Sequence, residues 1–428
     1  MSWSNWTGDQ TCTPVEQVRP RSLQELIEVV GRAAAAGRTV KVAGSGHSFS
    51  ECALTDGVMV HLDALDEVLD ADGELVKVQA GIVLRNLSPA LARRGRAQEN
   101  LGDIDKQTLA GAISTATHGT GLKLGNISAQ VAALELVTGT GEVLELTPDE
   151  DPEGLLAARV SLGALGVISA VTLRTVPAFN LHRVDRVRDL EDVLANLDHD
   201  IRDNDHYEFF VFPYASNACT ISRNRTDAPA RPRGRFSQAV SEVLLGYWLA
   251  EGLFRFTRRF HRLIPPLNRV AAPLVSEGEY VDASFRVFSS ERRFRFTEME
   301  YALPLEHGPE ALRRVLEWVA RERYPVAFPV ECRVVAADDA MLSPASGRET
   351  FYMAVHQYRG MEWRPYFEAV EAIAGEYGGR PHWGKRHMLE RATLQSRYPR
   401  FQDFLAVRER LDPGRVFANG YTARCLGE

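Results

Sequence analysis

Only five cysteines occur in 428 residues (Cys12, Cys52, Cys219, Cys332, Cys425), and no two share a Cys-x-x-Cys spacing. That scarcity argues against a disulfide framework or a thiolate zinc site, no metal is expected, and reduced thiols in a cytoplasmic setting fit best. Long apolar runs are also missing. The longest, residues 243–250, stops at Glu251, far short of the ~20 residues that cross a bilayer, so no transmembrane segment is expected. The first residues, Met1-Ser2-Trp3-Ser4-Asn5-Trp6, have neither the basic nor the apolar region of a secretory signal. Basic charge is not in excess: 50 Lys and Arg face 57 Asp and Glu, a net charge of −7, which speaks against a nucleic-acid partner. There is no internal repeat and no low-complexity segment. What remains, 45% hydrophobic and 25% charged, is ordinary globular usage, and the length allows two or three domains with ample core.

The most informative stretch is Gly44-Ser45-Gly46-His47-Ser48-Phe49, directly after Val40-Lys41-Val42-Ala43. Upstream, Ser22-Leu23-Gln24-Glu25 reads as a capping box opening a helix with the apolar stripe Leu23, Leu26, Ile27 and Val30, which ends near Gly37. Helix, strand and glycine turn together present backbone N–H groups to phosphates. The turn is not a Rossmann fingerprint, because Phe49 stands where the third glycine would be. Alone, it reads as a tight surface turn with a solvated histidine. A second element, Gly111-Ala112-Ile113-Ser114-Thr115-Ala116-Thr117-His118-Gly119-Thr120-Gly121, is dense in small and hydroxylated residues that can lie against a flat ring system. A third, Ser161-Leu162-Gly163-Ala164-Leu165-Gly166-Val167-Ile168, offers another close backbone approach.

Short β patterns alternate with helical ones up to about residue 178. They include runs at 58–62 and 75–78, a helix at 84–94, a hairpin of 131–137 with 142–146, and a strand over 167–176 closed by Pro177. The texture then changes. An aromatic strand at 208–212 precedes an Arg-, Pro- and Gly-rich loop at 223–235 and helical periodicity over 237–274. There Arg255, Arg258, Arg259 and Arg262 suit a helix covering a cap domain or lying on a membrane surface. Strands at 296–303, 326–335 and 350–357 and helices at 309–322 and 363–377 follow.

The three glycine elements together resemble the FAD-binding domain of the vanillyl-alcohol-oxidase superfamily. Later motifs narrow the resemblance to its aldonolactone and alditol oxidase branch, nearest to actinobacterial L-gulono-1,4-lactone oxidases and dehydrogenases. It covers the whole chain, including Leu411-Asp412-Pro413-x-x-x-Phe417-x-Asn419. The fold it implies is α+β. A two-subdomain FAD-binding domain spans residues 1–178, an α+β cap with an antiparallel sheet spans 179–384, and residues 385–428 pack back on the FAD domain. The FAD contacts it implies are Gly44, Ser45, Gly46, His47, Ser48, Phe49, Gly102, Asp103, Thr108, Gly111, Ser114, Thr115, Ala116, Thr117, His118, Gly121, Gly166 and Ile168. By the same resemblance His47 bonds covalently to the flavin 8α-methyl group, and a single link is expected because the second element has no cysteine. A histidine that only hydrogen-bonds the cofactor is the alternative.

Glu331-Cys332-Arg333 puts two charges on one face of a strand, since the side-chain period is two. Alone this reads as a solvent-facing ion pair. The apolar run 326–330 before it implies burial, and a buried pair needs a reason. With Asp338-Asp339 and Leu342-Ser343-Pro344 it matches the Glu-x-Arg element that in the family holds substrate hydroxyls over the flavin. Gly378-Gly379-Arg380-Pro381-His382-Trp383-Gly384-Lys385 resembles the family's His-Trp-x-Lys element, in which the lysine reaches substrate oxygens. His356 falls where alditol oxidases carry a substrate-binding threonine. It can donate to a lactone carbonyl, act as base, or be a packed strand histidine. By the same resemblance Gly102 occupies the position that in relatives governs oxygen access, and Asp103 stands where alditol oxidases have a serine. The implied reaction oxidises a sugar-derived lactone and passes electrons to O2 or to an acceptor such as a cytochrome or dye. An alditol oxidase, a polyprenyl-phosphoryl pentose oxidase and a non-catalytic flavin-binding module are the alternatives.

Overall fold

A computed structural model describes residues 2–232, 249–271, 277–289 and 294–428. The periodicity read over 237–248 and 272–274, and the end of the charged loop at 233–235, lie outside them. The first helix, Leu23–Ala35, begins as its cap predicts, with Ser22 Oγ accepting from Glu25 N at 3.2 Å. The reciprocal bond differs: Glu25 reaches the N–H of Arg21, not that of Ser22. The helix buries Leu26, Val29, Val30 and Ala33 near a parallel three-stranded sheet ordered Glu16–Val18, Val58–Val60, Val40–Val42. Beside it lies an antiparallel five-stranded sheet ordered Val143–Leu146, Val131–Val137, Val167–Arg174, Leu75–Gln79, Val68–Asp72. One apolar core joins both sheets to Leu394, Phe401, Phe404 and Phe417 of the C-terminal segment.

From Asn180 to Pro381 the chain builds one antiparallel eight-stranded sheet. Its spatial order is Gly278–Ala283, Asn180–Asp189, Asn217–Thr226, His206–Val211, Val330–Val335, Thr350–Tyr358, Phe296–Pro304, Arg380–Pro381. The start of the charged loop read from the sequence is therefore strand as far as Thr226, where cross-strand pairing outweighs local composition. Side chains alternate between faces. Phe209, Met299, Tyr301, Val334, Phe351 and Met353 pack with Leu312 and Val315 of Gly308–Glu322 and Tyr366 and Val370 of Arg364–Glu376. The other face shows Glu208, Glu298, Glu300, Glu331 and Arg333, each no more than 8% exposed. A buried sheet face of charged groups is costly unless they are paired and used, and this face roofs the glycine elements. Among the described residues no helix is long and apolar enough to cross a membrane.

Candidate active site

Two adjoining cavities occupy the space between the glycine elements and the cap sheet. The first, of about 340 Å³, is lined by all three elements: Gly44 to Ser48, then Thr108, Gly111, Ser114 and Thr115, then Leu162, Gly163, Gly166 and Ile168. Two glycines make this cradle possible. A Cβ at Gly44 would collide with Thr108 Oγ1, and Gly46 sits at φ +68°, a region that suits glycine. Thr108 is itself held as the cap of Leu109–Ser114, accepting from Gly111 N at 3.3 Å. Small residues, close-approach backbone and few charges fit the elongated, flat FAD molecule that the sequence implies.

The second cavity is smaller and polar, lined among others by Phe49, Gly102, Asp103, Glu298, Glu300, Glu331, Arg333, His382 and Lys385. His47, Ser48, Gln107 and Thr115 line both, so the cavities meet at His47. Its ring stacks on Trp6, 5.3 Å between centroids. Burial, with the charges of Lys106 and Lys385, pushes the His47 pKa down to about 4, which keeps the imidazole neutral with a nitrogen lone pair available.

Arg333 is clamped on three sides. It forms ion pairs with Asp103 and Glu331, and its Nε lies 2.9 Å from Glu208 Oε2. Glu208 is shared with Arg223 at 2.6 Å. Burial disfavours the guanidinium charge, but Asp103, Glu331 and Glu208 outweigh it and raise its pKa well above the ordinary arginine value. Across the cavity Lys385 pairs with Glu298. Burial opposes ionisation of Glu298, yet Lys385 and His356 prevail and hold its carboxyl at about 2.

The turn carrying Lys385 is fastened from several directions. Phe49 N donates to Gly384 O at 2.7 Å, Ser50 Oγ to Trp383 O at 2.7 Å, and Trp383 Nε1 to Leu342 O at 2.6 Å. The His47 loop and the Lys385 turn are thus joined directly. Asp338, Ser343 and Asn126 form the bracket below: Ser343 Oγ donates to Asp338 Oδ2 at 2.6 Å and accepts from Asn126 Nδ2 at 2.9 Å.

His118, Glu300 and His382 also converge, with potential ligand atoms within 4.8 Å of one another. Three of their four ring nitrogens have hydrogen-bond partners, since His118 Nδ1 also lies 2.9 Å from Gly119 O. His118 Nε2 lies 3.1 Å from Glu300 Oε1, and His382 Nδ1 accepts from Gly384 N at 3.0 Å, leaving its proton on Nε2. Burial lowers the His382 pKa to about 3. His118 and Glu300 are hydrogen-bonded side chain to side chain, His382 is tied to Glu300 through its backbone N–H, and His118 stacks on Tyr352 at 3.6 Å.

The structure therefore brings Glu331, Arg333, Lys385, Asp103, Gly102, His47 and most of the glycine elements around one continuous space. Three residues stand elsewhere. Ala116 is packed in the core. Gly121 joins the cap sheet, donating to Val334 O at 2.7 Å. His356 does not line either cavity; it lies beside Glu298, its register partner on the neighbouring strand. Sequence reasoning missed Glu298, Glu300 and Glu208. The first two carried a signal, since Glu298-x-Glu300 in an apolar strand has the same spacing as Glu331-x-Arg333.

Two family models match the chain: "FAD binding domain" over residues 16–147 and "D-arabinono-1,4-lactone oxidase" over 171–425. Over 427 residues it is 51% identical to the L-gulono-1,4-lactone dehydrogenase of Mycobacterium tuberculosis, covering 99% of both chains. It is 36% identical to the L-gulonolactone oxidase of Bos taurus, over 98% of this chain and 97% of that one. Among solved structures, cholesterol oxidase from B. sterolicum superposes with a TM-score of 0.82 at 15% identity, covering 99% of this chain and 96% of that one.

Proposed function

The chain belongs to the D-arabinono-1,4-lactone oxidase family and is a FAD-dependent oxidoreductase acting on a CH–OH group of a sugar-derived lactone, and from that premise we propose L-gulono-1,4-lactone as its substrate and His47 as the covalent attachment point of the flavin. The observation that carries this reading is the meeting of the two cavities at His47, with Glu331, Arg333 and Lys385 on the walls of the second. When bound, the flavin supplies a hydride acceptor for the carbinol C–H. The chain supplies position and charge. Arg333, oriented by Asp103, Glu208 and Glu331, presents a fixed positive charge where negative charge accumulates during reduction. Glu331 accepts the hydrogen bond of the reacting hydroxyl, and Lys385 donates to the lactone oxygens from the cap side. Asp103 acts through Arg333, to which it is paired.

Gly102 lines the substrate cavity, and a Cβ there would stand 3.1 Å from His118 O. The space beside Gly102 is thus already filled, and the electron acceptor is O2 or a carrier such as a cytochrome or dye. The five free cysteines support a reducing, cytoplasmic setting.

A substrate panel tests the reading. Anaerobic flavin reduction by L-gulono-1,4-lactone and not by xylitol is the expected result, and preferential reduction by xylitol would replace it with an alditol oxidase. Reoxidation by O2 compared with cytochrome c then assigns the acceptor.

A further inference from the structure

We infer that Glu298 is a positioning residue of this site, holding the Lys385 ammonium at the substrate cavity and itself held from behind by His356. The inference rests on the role of Lys385 proposed above.

Lysine carries a compact charge on a flexible four-carbon stem, so one at a reacting centre needs a partner that selects one of its many rotamers. Glu298 is that partner. Its Oε1 forms the ion pair with Lys385 Nζ, and the two side chains are 6% and 18% exposed. The Phe49 ring lies against the same ammonium, 5.5 Å from its centroid. The main chain sets the distance over which the pair must reach. Arg386 N donates to Glu298 O at 2.9 Å and His382 N to Glu300 O at 3.0 Å. The turn bearing Lys385 is thereby stitched to the strand bearing Glu298, and the backbone bonds do not need the carboxylate. What the carboxylate adds is the placement of the amine.

His356 completes the arrangement. It faces Glu298 across the sheet in register, and its Nε2 lies 3.4 Å from the same Oε1 that meets Lys385. Nδ1 is 3.2 Å from Pro329 O, a carbonyl that can only accept, so Nε2 faces the Glu298 carboxylate as a donor when the ring carries both protons and the contact is an ion pair. The ring is wedged between Phe296, 5.2 Å away, and Phe328, 6.0 Å away. An imidazole so placed lines neither cavity. Its influence on the reaction passes through the carboxylate.

The test is a double-mutant cycle in the FAD-loaded enzyme, using Glu298→Gln, Lys385→Met and the pair. Anaerobic single-turnover reduction by L-gulono-1,4-lactone is followed over a range of substrate concentrations. Glu298→Gln should lower the limiting rate by about 10- to 100-fold, the scale of a misplaced catalytic group, with a smaller change in half-saturating concentration. In the Lys385→Met background the same change should add almost nothing, because interacting residues are non-additive. Glu298→Asp, which keeps the charge, should recover part of the rate. A second readout needs no turnover: acetylation of the Lys385 amine, read by peptide mass spectrometry, should be several-fold faster in Glu298→Gln and in His356→Gln than in the parent. Losses that add independently, or unchanged Lys385 labelling in both variants, would overturn the inference while leaving the role of Lys385 intact. Near-normal reduction by Lys385→Met would remove the lysine from the reaction and this inference with it.

Discussion

A neutral imidazole at the meeting point of two cavities is where a covalent cofactor bond can form without first removing a proton. His47 meets that condition, with its pKa pushed down to about 4 by burial and by Lys106 and Lys385. Flavin should stay with the polypeptide through acid precipitation and fluoresce in a denaturing gel, and His47→Ala should abolish both signals. Reversible FAD binding should survive in that variant, because the cradle is largely backbone and small side chains. Protein-bound fluorescence in denatured His47→Ala would move the attachment point elsewhere. Residues of this kind were readable because their signals are local, a histidine between glycines or a Glu-x-Arg in an apolar run. Glu208 was not, since what gives it meaning is Arg333, its cross-strand partner, 125 residues away. His356 was placed in the right strand, but only the register shows Glu298 opposite it.

Whole elements were legible where periodicity is strong. The helix expected at 309–322 is Gly308–Glu322, and that at 363–377 is Arg364–Glu376. The strand expected at 326–335 begins later, at Val330, because Pro325 and Pro329 deny the ladder two N–H donors. Sheet order was not legible, since it depends on which strand pairs with which. One link between elements is easily tested. Lys41 is wholly buried in Val40–Val42, and its Nζ donates to Leu162 O, Gly163 O and Phe417 O at 3.3, 3.1 and 3.3 Å. It ties this strand to the third glycine element and to the C-terminal segment. Lys41→Met keeps the stem but leaves these carbonyls without the ammonium, at about 1–3 kcal/mol for each buried group left unsatisfied. Thermal scans should show a Tm lower by several degrees. FAD should also bind more weakly to refolded protein, because Gly163 lines the cavity proposed to hold it. An unchanged Tm would mean that the carbonyls find other donors.

At the scale of the molecule, the cap sheet and the FAD-binding layer meet through polar groups as well as oil. His206 Nδ1 lies 2.8 Å from Thr120 O of the second glycine element, and His382 sits in the wall of the substrate cavity. Burial lowers their pKa values to about 4 and about 3, against 6.5 in an unfolded chain. As pH falls from 6.5 towards these values the unfolded chain binds protons that the folded chain refuses. Stability is therefore full above pH 6.5 and declines through that window. Glu298, held at about 2, behaves differently. Its contribution is complete above pH 4.5 and is lost only as pH falls from there towards 2. Acid should thus act in two stages, and the first should strike the junction between the layers. In the holoenzyme freed of unbound FAD, flavin fluorescence is expected to change between pH 6.5 and 4 while far-UV circular dichroism holds until the second stage. Both signals falling together, or stability flat from pH 7 to 5, would mean that these imidazoles are not what couples the cap to the cofactor layer.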